Sequence, residues 1–255
     1  MTNIFSLEGR KAIVTGGGKG IGKSIAEGYL EQGAEVVITG SSDAIYAACE
    51  EFNKKGLNKV HAVKMNLLDR KQRAEAFDEC LKKLNGRLDI LVNNAGLQKR
   101  IPIDEYPLEV WDEIMEVNTV ALFDLSRRAV EVMKANHYGK IINFASIAAF
   151  ISSAKDIPGY QAAKAGVRQL TACFADEWSK HGICSNTIAP GMTETRLTAP
   201  LREDPVRYQK TLEKIPLGRW GVPDDYKGIS ILLASQAGDF INGATIVVDG
   251  GMLTR

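Results

Sequence analysis

The 255-residue chain predicts an α/β fold: one doubly wound domain, 1–255, with a seven-stranded parallel sheet and helices on both faces. Seven short apolar runs alternate with longer stretches that carry apolar residues at three- and four-residue spacing. The first run leads into a glycine-rich turn that opens a helix. Unbroken Val/Ile runs suit strands buried on both faces, and their regular alternation with helical patterns predicts parallel pairing.

In chain order the runs are Ala12–Val14, Val36–Ile38, Val60–Val63, Ile90–Val92, Lys140–Phe144, Ser185–Ile188 and Thr245–Val248. The helical patterns between them are Ile21–Leu30, Ala44–Phe52, Ala74–Leu84, Val110–Met133 and Ala162–Trp178. No repeat, charge run or low-complexity tract divides the chain. Residues 190–221 show neither a strand nor a long helix and follow the sixth strand, where such a sheet opens its ligand crevice. That stretch is expected to be a substrate lid.

Composition excludes several classes. Hydrophobic residues make up 45% and charged residues 25%, as in ordinary soluble domains. Thirty-two basic and 31 acidic side chains leave +1, which implies no general attraction to nucleic acid or anionic membrane. Cys49, Cys80, Cys173 and Cys184 form no C-x-x-C pair and read as buried reduced thiols, and His61, His137 and His181 read as surface or turn positions, so no metal is expected. The N-terminus is unlike a signal peptide and no apolar run is long enough to span a bilayer. A cytoplasmic protein acting on a small molecule is the expectation.

The first strand runs into Thr15-Gly16-Gly17-Gly18-Lys19-Gly20-Ile21-Gly22, a T-G-x-x-x-G-x-G spacing. Glycines there let the backbone approach a pyrophosphate, whose charge meets the helix N-terminus. A tight turn alone could look the same, but a glycine turn between strand and helix favours a dinucleotide site of the Rossmann type. The end of the second strand reads Thr39-Gly40-Ser41-Ser42, with no acid until Asp43. An acid at that position would repel a 2′-phosphate. Small hydroxyls together with Lys19 therefore favour NADP(H), with NAD(H) as the second option. The surfaces expected against the cofactor are Gly16, Gly18, Lys19, Gly20, Ile21 and Gly22; Ser41 and Ser42; Asn66 and Leu67 after the third strand; and Asn93, Ala95 and Gly96 after the fourth. The turn Asn93-Asn94-Ala95-Gly96 can equally brace the neighbouring strand.

The fifth strand ends in Ser146, which would point into the crevice or cap a turn. Tyr160 and Lys164, four apart, share one helix face. A nearby ammonium favours phenolate, so the Tyr160 pKa is expected to fall toward neutrality. Asn118 lies inside a helical pattern as a poor helix choice, readable as a buried amide bonded to backbone.

These motifs, with Pro190-Gly191, resemble the short-chain dehydrogenase/reductase family over essentially the whole chain. The resemblance implies that Tyr160 is the general acid/base, that Ser146 holds the substrate oxygen, and that Lys164 lowers the Tyr160 pKa and holds the nicotinamide ribose. It implies that Asn118 binds a relay water, that Pro190, Gly191 and Thr193 frame the carboxamide, and that Thr195 lies near the pyrophosphate. Ser146 to Tyr160 is one residue longer than usual in that family, so a bulge is expected within 151–158. A homotetramer built from the Tyr160 helix, its neighbour and the last strand is implied as well.

Residues 94–100, 215–221 and 242–251 resemble the sugar-acid branch of that family. A sugar acid needs cations for its carboxylate. Arg100, Gln98 and Arg202 are the candidates beside Ser146, against the plainer reading of the arginines as surface residues. A 3-oxoacyl carrier-protein reductase shares the fold and the four catalytic residues. A steroid or bile-acid dehydrogenase would need a more apolar lid. A non-catalytic dinucleotide sensor would be expected to lack Tyr160 or Lys164.

Overall fold

The computed structural model describes residues 3–152 and 155–254. The strands are β1 (Lys11–Thr15), β2 (Glu35–Gly40), β3 (Val60–Lys64), β4 (Ile90–Asn93), β5 (Gly139–Phe144), β6 (Ile183–Pro190) and β7 (Thr245–Val248). They form one parallel sheet in the order β3-β2-β1-β4-β5-β6-β7. The chain winds outward from β1 to β3, then returns to the centre at β4. The order therefore reverses between β1 and β4, and the crevice for a ligand opens at their C-terminal ends.

Helices α1 (Gly20–Glu31), α2 (Ala44–Lys54), α3 (Arg70–Lys83), α4 (Leu108–Met115), α5 (Ala121–Ala135), α6 (Pro158–Trp178), α7 (Ala199–Arg202), α8 (Pro205–Leu212) and α9 (Lys227–Ala234) cover the sheet. Alternation along each strand builds the two core layers. Ala12, Val14, Val36, Ile38, Ile90 and Val92 face one layer with Ile25, Tyr29 and Phe52. Ile13, Val37, Leu91 and Ile141 face the other with Phe77, Leu125 and Met133.

Three departures from the sequence reading have physical causes. The pattern over Val110–Met133 is not one α-helix, because a π-helical turn at Glu116–Val120 separates α4 from α5. Arg73, 1% exposed, ties α3 to that turn through Glu116 (2.9 Å) and to α5 through Asp124 (3.0 Å). The α9 sequence, Lys-Gly-Ile-Ser-Ile-Leu-Leu-Ala, is apolar around much of its circumference and offers no helical period to read. The 190–221 stretch carries the short helices α7 and α8, with Asp204 capping α8 by accepting from Val206 and Arg207 N–H. Its ends are pinned together where Gly221 N–H donates to Met192 (2.9 Å) and Glu194 N–H donates to Gly221 (2.9 Å). Stacked Tyr208 and Trp220 rings, 5.4 Å apart, belong to a cluster with Ile147, Ile215 and Met252.

The expectation of buried thiols holds for Cys80 and fails for Cys173, which lies on the outward face of α6; Cys49 and Cys184 are half-buried. His61 is no surface turn residue. It sits within β3, with Nε2 3.0 Å from Glu35 Oε1. Among the described residues no group of three or more His, Cys, Asp or Glu side chains could hold a metal ion, and no helix is long and apolar enough to cross a membrane.

Candidate active site

The glycine turn joins β1 to α1. Gly16 has φ +66° and Gly20 φ +55°, both in the left-handed region that glycine adopts at least cost. A Cβ on Gly22 would lie 2.4 Å from the Gly16 carbonyl oxygen and 2.5 Å from Asn94 Nδ2. Lys19 occupies the N-cap of α1 with no side-chain cap bond, so first-turn N–H groups face outward. A Cβ on Gly20 would meet Thr195 at 3.7 Å, which sets the start of the 190–221 stretch against the turn. This cradle fits a pyrophosphate, with Gly18 and Ile21 in its wall. The residues for the adenosine end, Lys19, Ser41, Ser42 and Asn66, are all exposed, and Leu67 is half-buried. Asn66 Oδ1 accepts from Leu68 N–H (3.2 Å), so its side chain closes a local turn.

The two asparagines that end β4 divide their work. Asn93 is not a cofactor-lining side chain: it is buried and donates to Ser126 Oγ (3.0 Å) and Asn143 Oδ1 (2.9 Å) within the core. Strand alternation turns it away from the crevice. Asn94, which the sequence reading did not single out, donates to the Thr15 carbonyl (2.9 Å), while Thr15 Oγ1 accepts from the N–H of Asn94 (3.0 Å) and of Ala95 (3.1 Å). These bonds fasten the glycine turn to the β4 end. Thr193 is likewise spent internally, with its hydroxyl on the Gly191 carbonyl (3.1 Å) and Tyr226 OH. Pro190 ends β6, and a Cβ on Gly191 would lie 2.6 Å from Asp249 Cα.

The catalytic candidates do converge. Ser146 follows β5, caps a short 3₁₀ turn by accepting from Ala148 N–H (3.1 Å), and hydrogen-bonds Tyr160. Tyr160 and Lys164 lie in the first two turns of α6, buried, with Lys164 Nζ 5.6 Å from the Tyr160 ring centroid. Lys164 donates to the Phe144 carbonyl at 2.7 Å. A Cβ on Gly96 would meet Asn118 Oδ1 at 2.9 Å and Lys164 Nζ at 3.7 Å, so all three share one wall. Asn118 donates to the carbonyls of Leu97 (2.8 Å) and Ile114 (2.9 Å) and accepts from Leu97 N–H (3.2 Å). The π turn frees the Ile114 carbonyl from an ordinary α bond, and the amide supplies the replacement. The reading of Asn118 as a buried amide bonded to backbone therefore describes its side chain.

The expected fall in the Tyr160 pKa is not found. Burial pushes the phenol up to about 12, with the Ser146 hydrogen bond a smaller opposing effect. Burial also pulls Lys164 down from 10.5 to about 8. The desolvation cost of each charge outweighs their mutual attraction, because the ammonium lies over the ring and bonds a carbonyl. For Lys164 the sign follows directly: between about pH 8 and pH 10 the unfolded chain keeps a proton that the folded chain has lost, so stability rises with pH. Relative to Lys164→Met, the wild type is expected to gain about 2–3 kcal/mol across that window, read from urea midpoints at each pH. Equal pH slopes in the two proteins would show that the buried lysine keeps its charge.

The substrate candidates separate. Arg202 donates to the Thr195 carbonyl (3.3 Å) and faces Glu194 (3.9 Å). Gln98 is half-buried on the loop leaving β4. Arg100, on the same loop, is half-buried and makes no hydrogen bond or ion pair among the described residues. Burial lowers its pKa, with Asp156 and, on α8, Arg207 within electrostatic reach. The expected bulge within 151–158 includes Ser153 and Ala154, which lie outside the described residues. Asp156, at its far end, has φ +69° and accepts from Ile101 N–H (2.8 Å).

A family model described as enoyl-(acyl carrier protein) reductase matches residues 16–253. The chain is 41% identical to 2-dehydro-3-deoxy-D-gluconate 5-dehydrogenase of Pseudoalteromonas atlantica, covering 100% of both chains. It is 35% identical to 5-keto-D-gluconate 5-reductase of Escherichia coli, covering 99% of each. A solved structure of gluconate 5-dehydrogenase from Burkholderia cenocepacia, in complex with NADP and tartrate, superposes with a TM-score of 0.93 at 36% identity, covering 99% of this chain and 98% of that one.

Proposed function

The chain belongs to the short-chain dehydrogenase/reductase family, and from that premise we propose that it interconverts a secondary hydroxyl and a ketone on a sugar acid of the 2-keto-3-deoxygluconate or gluconate type. The cofactor is NADP(H), with NAD(H) admitted. The observation that carries the reaction is the meeting of Ser146, Tyr160 and Lys164 at the C-terminal end of the sheet.

The nicotinamide, when bound, supplies or accepts the hydride. Tyr160 gives its phenolic proton to the carbonyl oxygen in reduction and takes the hydroxyl proton in oxidation. Ser146 donates a hydrogen bond to the same oxygen. Lys164, anchored on the Phe144 carbonyl, places a cation or a donor beside the phenol and the ribose. Asn118 holds the loop at Leu97 in place, and its role in a water relay belongs to this proposal. The glycine turn, Lys19, Ser41, Ser42 and the Thr195 segment hold the dinucleotide, and the 190–221 stretch acts as the lid over the substrate.

The sugar-acid class is supported by Arg100, whose half-buried guanidinium makes no hydrogen bond or ion pair among the described residues. Arg202 is a weaker candidate, since it already bonds the Thr195 carbonyl. A homotetramer is part of the same reading, supported by exposed Ala162, Ala165 and Ala172 on α6 and by β7 as a sheet edge. So is a cytoplasmic setting, which suits free cysteines and a nicotinamide cofactor.

The experiment is absorbance at the reduced-nicotinamide band with NADH and NADPH offered separately. The substrates are 5-ketogluconate, the 2,5-diketo-3-deoxy acid and acetoacetyl thioesters. Turnover of a keto acid with NADPH, and none of the thioester, is expected. Turnover of the thioester alone would move the protein to 3-oxoacyl carrier-protein reduction.

A further inference from the structure

Selection between the two nicotinamide cofactors depends on charge at the end of β2, where a carboxylate repels a 2′-phosphate. The chain does carry an acid there, Asp43, directly after the two serines. Asp43 is the N-cap of α2, a position at which a carboxylate ordinarily accepts from the N–H groups two and three residues on. Asp69 at the start of α3 and Asp204 at the start of α8 do so, each accepting two backbone N–H bonds. Asp43 accepts none. Its Oδ1 instead lies 3.0 Å from Nζ of Lys64, the last residue of β3, which pairs in register with Gly40 at the end of β2.

The segment that carries Asp43 adjoins the nucleotide cradle. Gly17 N–H donates to the Thr39 carbonyl (3.1 Å), and a Cβ on Gly18 would lie 2.9 Å from Ile45 Cδ1 in the first turn of α2. The glycine turn with Lys19 and the segment with Ser41, Ser42 and Asp43 are therefore neighbours. An exposed ion pair of this kind contributes little to stability. Its effect on a dianion within a Debye length is larger, because the ammonium cancels the carboxylate and Lys19 is left as net positive charge.

We propose that Lys64 is a positioning and specificity-determining residue for the cofactor: it holds and neutralises the Asp43 carboxylate, so that a 2′-phosphate can settle against Ser41, Ser42 and Lys19. The inference rests on the NADP(H) reading and assigns to Lys64 a part that the glycine turn and the serines alone do not supply.

The test uses the purified full chain and two nucleotide probes, 2′,5′-ADP and 5′-AMP, titrated by calorimetry. The wild type is expected to bind 2′,5′-ADP more tightly. Lys64→Gln should weaken 2′,5′-ADP about three- to tenfold while 5′-AMP stays within about twofold, because only the former carries the 2′-charge. Asp43→Asn in the Lys64→Gln background should restore the 2′,5′-ADP affinity, a rescue that loss of a merely structural contact would not produce. Lys19→Ala should lose the preference whatever residue stands at 43. Equal weakening of both probes by Lys64→Gln, or no rescue by Asp43→Asn, overturns the role of Lys64 and leaves the NADP(H) reading standing. Equal affinity of the wild type for both probes overturns that reading and the inference with it.

Discussion

Tyr160→Phe is expected to lower turnover by about 10³- to 10⁴-fold while nucleotide affinity stays within about twofold. The phenyl ring keeps the packing of Tyr160 with Ile114, Ala148, Ile157 and Ala163, so the variant loses one oxygen and little stability. In the proposed reaction that oxygen carries the proton, and it is the atom Ser146 bonds. Ser146 and Lys164 remain in place but cannot substitute, since neither presents an acidic hydroxyl with a pKa tuned by this site. A turnover within tenfold of wild type would remove Tyr160 from the mechanism. The direction of its pKa adds a second readout. A phenol held protonated, at about 12 in the chain alone, is poised as an acid. Ketone reduction should therefore be flat across neutral pH, while alcohol oxidation, which needs the base form, should rise with pH. Identical profiles in both directions would contradict a single acid/base group.

Arg100→Ala is expected to raise KM for a keto sugar acid about ten- to hundredfold with a smaller change in kcat, the effect of losing a charge-assisted bond to carboxylate. The argument is one of unmet need. A guanidinium that is half-buried gives up part of its hydration, and among the described residues nothing returns it as an ion pair. A ligand carboxylate would. An uncharged polyhydroxy ketone should be handled alike by wild type and variant, and Arg100→Lys should recover part of the loss for the acid. Unchanged KM for the acid would leave Arg100 a surface residue and the sugar-acid class without its anchor in this chain.

Much of this molecule follows from local pattern. The seven runs became seven strands because Val- and Ile-rich runs suit a buried strand, and their order along the chain with intervening helices leaves a parallel sheet. The glycine turn was legible because glycine adopts φ +66° at Gly16 at least cost and alone permits the close approach at Gly22. Tyr160 and Lys164 were legible because helical spacing alone puts them on one face.

What lay beyond the sequence depended on partners distant in the chain. Which of Asn93 and Asn94 faces the crevice was decided by the pleat of β4 and by Ser126, 33 residues away. The π turn around Asn118 depends on Leu97 in a loop 21 residues earlier. The rise of the Tyr160 pKa reflects how completely that side chain is buried, whereas its four-residue distance from Lys164 pointed the other way. Arg202 and Arg100 look alike in sequence, and only the folded chain gives the first the Thr195 carbonyl, while the second bonds none of the described residues. The sequence by itself determined the sheet, the glycine turn and the juxtaposition of Tyr160 with Lys164, because these rest on backbone geometry and periodicity. Tertiary structure decided side-chain partners and proton affinities, because desolvation and long-range hydrogen bonds are properties of the packed chain.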